Sequence, residues 1–438
     1  MKPYISRVTM SNTSYVLVGN SAAAVGAVAG IRQYDPRGSV TIIAKEPEHT
    51  YSRPLISYLL AGKVDEKRMY YRPLDFYRKS RVQALLGTLV TEVLPDRKVV
   101  KTSDGQEVLY DRLLLATGGK PVVPPNLKGV ETGGVFTFTS WQDARRIKEY
   151  IDKYQVRDAV VLGGGLIGLK SVEALTALGI KTTVLELAER VLSITLDQTA
   201  SDLVAGALEK KGVDLLCTST VEAIHSRRGK VSGVTVTGGE KIECGLVLLA
   251  IGVQPDTTLA MSAGLKVDRG ILVDDYLRTS EKDIFAAGDV AQAMEMLSGE
   301  KRAVPIWPLA YRQGLIAGSN MAGHEMTYEG SLAMNSVEIC GLPTISAGIT
   351  SPEGEDYEVL TKKNKRTGAY KKIVFKDDRL VGFIMTGDIE RAGIMTGLIK
   401  GRVKIGGLKK KLMGDDFGVI NLPFDYRAQV AAGKGVYL

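Results

Sequence analysis

Cysteine and histidine are both scarce in this 438-residue chain, which has three of each. Cys217, Cys244 and Cys340 lie far apart and form no CxxC or CxxxxC pair. This excludes a redox disulfide between sequence neighbours, an iron–sulfur motif and a secreted disulfide framework. The three histidines stand alone, so neither a zinc cage nor a catalytic triad can be assembled from them. The composition therefore predicts a reducing, cytoplasmic setting and no metal site.

Long apolar runs are also missing. The longest weakly polar stretch, residues 15–31, is interrupted at Gly19, Asn20 and Ser21, where a strand should turn into a helix. No other run provides the roughly 18 apolar residues that a membrane helix needs. We therefore expect neither a signal peptide at this stretch nor a membrane-bound protein.

Nucleic-acid motifs are absent although the formal net charge is +8. Most of the excess lies in residues 355–438, which contain 17 Lys and Arg against 10 Asp and Glu, a local net charge of +7. A basic domain of this kind suits an acidic protein partner, and no nucleic-acid partner is expected. For the run Lys409, Lys410 and Lys411, the alternative is a solvated face.

Glycine is abundant, with 48 residues, while 45% of the residues are hydrophobic and 24% are charged. This composition is typical of a folded α/β protein with many strand-to-helix turns. Two segments repeat one pattern, and their first glycines, Gly19 and Gly163, lie 163 minus 19, or 144, residues apart. Each segment has a β-branched run before the glycines, a small-residue helix after them and then a second strand. The pattern predicts two βαβ units.

The second segment carries a full GxGxxG fingerprint. Its first glycine permits a tight turn, its second lets a pyrophosphate approach the backbone, and its third lets the helix pack on the strand. Glu186 closes the following strand, where a carboxylate binds the adenosine ribose and repels a 2′-phosphate, so NADH should be favoured over NADPH. The alternative is a glycine-rich turn that binds nothing. The residues predicted to bind NAD are Gly163, Gly165, Ile167, Gly168, Glu186 and Gly252.

The first segment is a degenerate version of the fingerprint, with Ser21 and Ala24 in place of the second and third glycines. Small side chains still permit close approach. Glu46 follows the second strand, 27 residues after Gly19, as a candidate ribose ligand. One chain with two dinucleotide sites predicts a flavoprotein that takes hydride from a nicotinamide.

Five motifs carry a more specific resemblance: EPEHTYSRPL from Glu46, ATG from Ala116, GGGLIG from Gly163, AAGD from Ala286 and WPLAYRQG from Trp307. Together they resemble the FAD-dependent pyridine nucleotide oxidoreductases, particularly NADH:rubredoxin reductases and the flavin part of nitrite reductases. The resemblance spans about residues 14–325, and the later segment GFIMTGDIERAG is similar to the C-terminal domain of the same group. The chain is also similar to flavoproteins that accompany carbon monoxide dehydrogenase or 2-oxoacid oxidoreductase systems in anaerobes.

The resemblance implies two Rossmann-like domains, which bind FAD and NAD, and a C-terminal α+β domain. The FAD domain would be discontinuous, over residues 1–125 and 250–328, with the NAD domain at 126–249 and an interface or docking domain at 329–438. Asp289 would bind hydroxyls of the ribityl or phosphate side. The helix that Trp307 precedes would point its N-terminus at the flavin pyrimidine, with core packing as the alternative for Trp307. The residues predicted to bind FAD are Gly19, Ser21, Ala24, Glu46, Arg53, Thr117, Gly118, Gly288, Asp289 and Trp307.

Two positions depart from the family pattern. Many members have a lysine after the Arg-Pro-x-x-Ser segment and a glutamate two residues after the last fingerprint glycine, and these two side chains pair beside the flavin. Here the positions hold Tyr58 and Lys170. We predict that Lys170 and Tyr58 are the catalytic pair, with the positive charge retained and its carboxylate partner lost. The alternative for Lys170 is a solvated helix residue.

The segment at residues 51–62 contains no cysteine, whereas disulfide reductases, NADH peroxidases and water-forming NADH oxidases of this group use one near the flavin. The resemblance therefore implies hydride transfer between nicotinamide C4 and flavin N5, with electrons leaving singly. The partner would be a ferredoxin, a rubredoxin or a ferredoxin-like iron–sulfur subunit of a larger complex. The alternatives are an oxygen-reducing NADH oxidase, a flavin-binding subunit without turnover, and a homodimer interface in place of the docking role of the C-terminal domain.

Overall fold

The computed structural model describes residues 13–414 and 417–431. The chain divides into two compact units, each assembled from segments far apart in sequence. The first unit consists of Met1–Arg53, Glu66–Lys120 and Val253–Ser331. The second unit consists of Pro54–Asp65, Pro121–Gly252 and Leu332–Leu438.

Short strands dominate the described residues. Numbered β1 to β26 in chain order, they are Ser14–Val18, Ser39–Ala44, Val82–Leu86, Val90–Leu94, Val99–Thr102, Glu107–Leu109, Arg112–Leu115, Gly119–Pro121, Val135–Thr137, Asp158–Leu162, Lys181–Leu185, Asp214–Leu216, Val221–Arg227, Lys230–Val236, Lys241–Ile242, Leu246–Leu249, Val253–Pro255, Ile271–Leu272, Ile284–Ala286, Ala291–Met294, Lys301–Arg302, Met334–Ile339, Leu342–Gly348, Glu358–Lys363, Tyr370–Lys376 and Arg379–Thr386.

The helices in the same part of the chain are numbered α1 to α11. They are Ala22–Tyr34, Ile56–Leu60, Phe76–Lys79, Trp141–Tyr154, Leu166–Ala177, Gln198–Glu209, Thr258–Ser262, Trp307–Met321, Ala392–Lys400, Lys409–Leu412 and Phe424–Ala431.

The first unit is built on a parallel sheet of order β19-β7-β1-β2-β3. Tyr15 of β1 lies opposite Val40 of β2 and Arg112 of β7, which fixes the register of the three central strands. These strands are nearly continuous apolar runs because a parallel sheet is covered on both faces. One buried cluster runs from the sheet into α1 and α8.

Helices α1 and α8 approach each other through glycines. A Cβ on Gly26 of α1 would lie 2.1 Å from the carbonyl oxygen of Tyr311, and one on Gly314 of α8 would lie 1.9 Å from that of Ala23. No larger residue fits at either position without moving the backbone. The small residues of the two helices therefore allow α1 and α8 to pack closely against each other.

The second unit contains a matching parallel sheet of order β12-β11-β10-β16-β9. Val160 of β10 lies opposite Thr183 of β11 and Val247 of β16. The fingerprint glycines directly follow β10, and α5 begins after them. The antiparallel sheet β13-β14-β15 shares a buried cluster with this parallel sheet.

An antiparallel sheet of order β22-β23-β26-β25-β24 forms the C-terminal part of the second unit. It is attached to helix α6 by a polar network. The Asp197 carboxylate caps α6 by accepting a hydrogen bond from the Ala200 amide, and it also accepts one from the Tyr370 hydroxyl at 2.7 Å and pairs with Lys372 Nζ at 3.2 Å. Burial, together with the adjacent Asp197 carboxylate, raises the pKa of Tyr370 well above its usual value, so this hydroxyl stays protonated and donates.

The predicted α/β class is confirmed, with two parallel sheets that each carry a glycine turn and a separate C-terminal sheet. The domain limits are a different matter. Residues 332–438 share the second unit with residues 121–252, and so does Pro54–Asp65, which the sequence assigns to the FAD domain. The three-domain division stays a prediction.

None of the helices in the described ranges, 13–414 and 417–431, is both long enough and apolar enough to cross a lipid bilayer.

Candidate cofactor sites

The turn after β1 forms the base of the candidate FAD site in the first unit. Gly19 has φ +124°, and a Cβ there would lie 2.2 Å from the Ala116 carbonyl oxygen, so only glycine fits. Ser21 is the N-cap of α1, but its side chain makes no capping hydrogen bond. The amides of the first turn are thus left for an anion such as a pyrophosphate. Ala24 is fully buried inside this helix, where it serves packing.

Glu46, which follows β2, sits in a cationic and aromatic setting. The Tyr51 hydroxyl donates to its Oε2, and the Arg53 guanidinium pairs with its Oε1, each at 2.5 Å. Burial alone would raise the pKa of the Glu46 carboxyl, but Arg53 and Tyr51 outweigh it and lower the pKa below the usual value. The carboxylate is therefore ionised and able to accept hydrogen bonds from ribose hydroxyls.

Two further turns of the first unit contribute to the same candidate site. In the turn between β7 and β8, the Thr117 hydroxyl donates to the Asp256 carbonyl oxygen at 2.7 Å, and Gly118 is the next residue. The Gly288 amide donates to the Gln313 side chain at 2.8 Å. Burial raises the pKa of the neighbouring Asp289 carboxyl, and the Arg53 guanidinium only partly opposes this effect.

Trp307 is the first residue of α8, whereas the sequence predicts it just before the helix; the N-cap is Ile306. Its ring packs edge-on against Tyr71 with 5.1 Å between the ring centres, and it lies against the buried cluster. Both its place at the helix N-terminus and its contact with the core are therefore observed, and its role towards a flavin stays a prediction.

The residues of the first unit fit a hydroxyl-rich dinucleotide. Thr50 is completely buried, and among the described residues its Oγ1 finds no hydrogen-bond partner. The Nε2 atom of His49 is also buried and also has no hydrogen-bond partner among the described residues. Buried polar atoms without a partner in the chain have hydrogen-bonding capacity that the hydroxyls or ring nitrogens of a bound dinucleotide can satisfy. Together with the N-terminus of α1, which the Ser21 side chain leaves uncapped, these atoms fit FAD.

The second unit holds a more regular cradle after β10. A Cβ on Gly163 would lie 2.4 Å from the Ala250 carbonyl oxygen, and one on Gly168 would lie 1.9 Å from that of Gly163. A Cβ on Gly165, the N-cap of α5, would meet no atom within 4 Å. The backbone is therefore packed on one side and open on the side where a pyrophosphate would lie, which fits NAD.

Glu186 lies where the fingerprint predicts an acid, after β11. Its Oε2 accepts a hydrogen bond from the Gly164 amide at 2.6 Å, and its Oε1 accepts one from Ala188 at 2.8 Å. Each oxygen keeps capacity for a ribose hydroxyl. Ile167 is partly exposed in the first turn of α5, and a Cβ on Gly252 would meet no atom within 4 Å, so both lie at open positions of this unit.

Lys170 and Tyr58 come together in the second unit. The Lys170 ammonium lies 4.8 Å from the centre of the Tyr58 ring, and Lys63 Nζ lies 5.8 Å from it. Lys170 is not a solvated helix residue, since its side chain is only 20% exposed. The family's carboxylate at position 170 is replaced by Lys170, and Lys170 forms an ion pair with another carboxylate, Glu173, one helical turn later.

Residues 13–314 match the model of the pyridine nucleotide-disulphide oxidoreductase family, and residues 334–403 match that of the rubredoxin NAD+ reductase C-terminal domain. The chain belongs to the pyridine nucleotide-disulphide oxidoreductases. The resemblance stated from the sequence motifs is thereby confirmed.

Three curated relatives of this family member are similar over most of its length. It is 31% identical to subunit epsilon of the NADH-dependent phenylglyoxylate dehydrogenase of Aromatoleum evansii, over 94% of this chain and 97% of that subunit. It is 30% identical to the rubredoxin-NAD(+) reductase of Pseudomonas putida, over 88% and 98% respectively. Identity to the NAD(P)H nitrite reductase of Bacillus subtilis is 32% over 89% of this chain, which spans only 48% of that protein.

A solved structure agrees with these relatives. Putidaredoxin reductase, in its covalent complex with putidaredoxin, superposes with a TM-score of 0.83 and 25% identity, covering 98% of this chain and 100% of that one. The predicted oxidoreductase class and the predicted cofactors FAD and NAD are confirmed for this family member.

Several side chains near the candidate sites could not be predicted from the sequence, or were not. Gln313 lies inside the quoted motif that begins at Trp307, but its contact with Gly288 depends on how α8 packs and could not be predicted. Thr50 lies inside a quoted motif, but only its burial shows the unmatched hydroxyl. Glu173 could have been found, since it lies three residues after Lys170 on a helix, where opposite charges pair.

Proposed function

We propose that this pyridine nucleotide-disulphide oxidoreductase oxidises NADH and passes the electrons to an iron–sulfur protein. The observation that carries the proposal is the presence of two dinucleotide cradles on one chain, each with a glycine turn before a helix and an acid after the next strand. FAD, when bound, supplies the chemistry that converts a two-electron hydride donor into single-electron steps.

Two relatives support an iron–sulfur acceptor. One is named for reduction between NAD+ and rubredoxin, and a structural neighbour was solved in covalent complex with putidaredoxin. The chain itself also supports it, because residues 51–62 contain no cysteine that could relay electrons as a thiol. Electrons taken as hydride then need an acceptor that accepts them singly.

The acceptor takes one of two forms in this proposal, a free carrier or the iron–sulfur subunit of a larger complex. The second form is supported by the relative that is a subunit of a phenylglyoxylate dehydrogenase and is matched over nearly its whole length. Phenylglyoxylate is a 2-oxoacid, in keeping with the narrower resemblance drawn from the motifs. The cytoplasm is the proposed location, on the basis of the three dispersed cysteines.

Glu186 gives the proposed preference for NADH. Its carboxylate is held in place by two backbone amides and cannot turn away from an approaching ribose without losing both hydrogen bonds. A 2′-phosphate would meet this negative charge at close range, whereas ribose hydroxyls would donate to it. The chain's own contribution here is discrimination between the two nicotinamide cofactors.

Lys170 is the proposed source of positive charge for the redox reaction, with Tyr58 holding the ammonium in place. The support is the position of both residues in the family pattern and the direct contact between them. A fixed cation favours the reduced, more negatively charged state of a nearby redox group. Lys170 is thus proposed to tune the reaction electrostatically, without proton transfer.

The test uses the purified holoprotein without oxygen. Addition of NADH should bleach the flavin absorbance, and rubredoxin or a bacterial ferredoxin should then be reduced catalytically. Bleaching without reduction of any iron–sulfur acceptor, together with rapid peroxide formation in air, would instead show an oxygen-reducing NADH oxidase. Absence of bleaching would show a flavin-binding subunit without turnover. Affinity purification from cells, followed by mass spectrometry and sizing, would distinguish a free carrier, a larger complex and a homodimer.

A further inference from the structure

Glu173 of α5 lies at the centre of a small cluster within the second unit. Its Oε2 accepts a hydrogen bond from the Lys170 ammonium on the same helix. Its Oε1 accepts one from the backbone amide of Cys340 at 2.8 Å. The two oxygens of one carboxylate therefore contact two different parts of the chain. Cys340 lies 167 residues after Glu173 in the sequence.

The Lys170 end of this cluster is shielded and fully engaged. The ammonium contacts the Tyr58 ring, pairs with Glu173 and donates to the Glu338 carbonyl oxygen at 3.3 Å. The side chains of Lys170 and Glu173 are 20% and 13% exposed, so water screens their attraction much less than it screens a surface pair. The place of the ammonium is consequently fixed.

The Cys340 end is the turn of a β-hairpin in the C-terminal sheet. Ile339 of β22 pairs with Leu342 of β23, which leaves Cys340 and Gly341 as a two-residue loop, with φ of +52° and +85°. These angles are those of the tight turn that joins twisted strands. In such a loop the amide of the first residue has no acceptor inside the hairpin, so the hydrogen bond to Glu173 satisfies it.

Glu338 adds a second link between the same two elements. Its carbonyl oxygen, on β22, accepts from Lys170, while the Cys340 amide donates to Glu173. The ion pair on α5 thus presents one donor and one acceptor to the backbone of the hairpin. This arrangement is matched, because each charge meets the backbone group of opposite polarity.

We propose that Glu173 is a positioning residue that ties the C-terminal hairpin to the charge of Lys170, and so lets the C-terminal domain adjust the redox reaction. Its Oε1 anchors the turn, while its Oε2 fixes the place of the ammonium and offsets part of its charge. The anchoring half stands on the geometry alone. The redox half rests on the proposed function, in which Lys170 acts on the flavin.

The anchoring half is tested by hydrogen exchange, which needs no turnover. Glu173→Ala removes the acceptor, so the peptide that contains the Cys340 turn should exchange faster than in the unaltered protein. Glu173→Gln keeps an amide oxygen for the Cys340 amide and should leave exchange nearly unchanged. Glu209→Gln, at an exposed carboxylate that ends α6, is the matched control. Equal exchange of the turn in the Ala variant and in the unaltered protein would overturn this half.

The redox half is tested by the midpoint potential of the bound flavin. Glu173→Gln removes the offsetting negative charge and should raise the potential, whereas Lys170→Met should lower it; Glu209→Gln should not move it. Shifts of opposite sign would follow the sign of the charge that each variant removes, as an electrostatic effect requires. No shift with Glu173→Gln in a protein that still reduces its flavin with NADH would overturn the inference while leaving the proposed function intact. Failure of the unaltered protein to reduce its flavin would instead contradict the proposed function.

Discussion

The Lys170 ammonium lies 4.8 Å from the centre of the Tyr58 ring, within the range of a cation–π contact. These are the two positions at which the chain departs from the lysine and glutamate of its family. An aromatic ring now faces the cation across the two elements, and Glu173 supplies the carboxylate from the cation's own helix. We therefore predict that the two departures act together, as a single compensated exchange.

The first prediction concerns this exchange. Lys170→Met should slow reduction of the flavin by NADH about tenfold, the effect of roughly 1.4 kcal/mol on the barrier, because the fixed cation is gone. Tyr58→Leu should have a smaller effect of the same direction, and the double variant should be no slower than Lys170→Met. Anaerobic stopped-flow absorbance measures these rates, with the FAD content as a check on folding.

Tyr58→Phe is the matched control, because it keeps the ring face and should reduce at nearly the original rate. Additive effects of Lys170→Met and Tyr58→Leu would show that the two side chains act independently and would contradict the coupling.

The second prediction separates two glycines of the NAD fingerprint. Gly168→Ala places a methyl group 1.9 Å from the Gly163 carbonyl oxygen and should lower the unfolding free energy by about 1–3 kcal/mol, seen as a lower Tm. Gly165→Ala meets no protein atom within 4 Å, so the Tm should stay the same. The KM for NADH should nevertheless rise, because the methyl group enters the space left for the pyrophosphate. A fall in Tm with Gly165→Ala as large as that with Gly168→Ala would contradict this assignment.

These two glycines show what could be derived from the sequence. A strand, a glycine turn and a helix are local in the chain, and Glu186 follows at a set spacing, so its place after β11 was predictable. Tertiary contacts were not. The hydrogen bond between Glu173 and the Cys340 amide joins a helix to a hairpin far along the chain, and no local pattern indicates it.

Charge counting met the same limit in the C-terminal segment. The net charge of residues 355–438 can be counted from the sequence. The sequence does not show which of these lysines are neutralised by a nearby carboxylate. Lys409 pairs with Glu358 of β24 and with Asp378 in the turn between β25 and β26. A count of charges treats Lys409 and Lys410 alike, whereas the structure distinguishes them.

The third prediction concerns cofactor choice. Glu186→Ala should raise the KM for NADH and narrow the gap between NADH and NADPH by about tenfold or more, since hydrogen bonds to a charged group contribute roughly 1.5–3 kcal/mol. Glu186→Gln keeps the shape of the side chain and one acceptor oxygen, so its preference for NADH should lie between those of the unaltered protein and Glu186→Ala. Flavin reduction rates at low concentrations of each nucleotide measure the gap. Equal rates with both nucleotides in the unaltered protein would refute the role given to this carboxylate.

The fourth prediction is a pH dependence of FAD binding. Burial raises the pKa of Asp289, so the carboxyl of the apoprotein holds its proton at pH values above the usual Asp pKa of about 3.9. FAD hydroxyls that donate to the ionised carboxylate favour its charged form and lower the pKa. FAD binding therefore releases a proton from Asp289. The affinity for FAD should rise as the pH increases through the raised pKa of Asp289, and it should fall as the pH decreases below it.

Fluorescence titration of the apoprotein with FAD at a series of pH values measures this affinity. Asp289→Asn cannot ionise and should lose this part of the pH dependence while retaining the fold. An unchanged pH profile in Asp289→Asn would show that Asp289 does not contact the cofactor.

The fifth prediction concerns the docking of an acidic iron–sulfur partner on the C-terminal segment. Lys410 and Lys411 are exposed, whereas Lys409 Nζ lies 2.7 Å from a Glu358 oxygen and 3.1 Å from an Asp378 oxygen. Reversal of charge at Lys409 should therefore break contacts within the domain and lower the Tm. Reversal at Lys410 and Lys411 should change only the surface potential, which mainly affects the association rate.

The double variant Lys410→Glu and Lys411→Glu should slow reduction of the partner at low salt and leave reduction of the flavin by NADH intact. The difference should shrink as salt rises, because the screening length is about 10 Å at 0.1 M. Arg227→Glu with Arg228→Glu is the matched control, since it makes the same change of charge at an exposed pair outside the predicted docking domain. If both double variants slow reduction of the partner equally, the effect comes from the total charge of the protein. If neither does so at low salt, the basic run serves solubility or contact with a second copy of the chain.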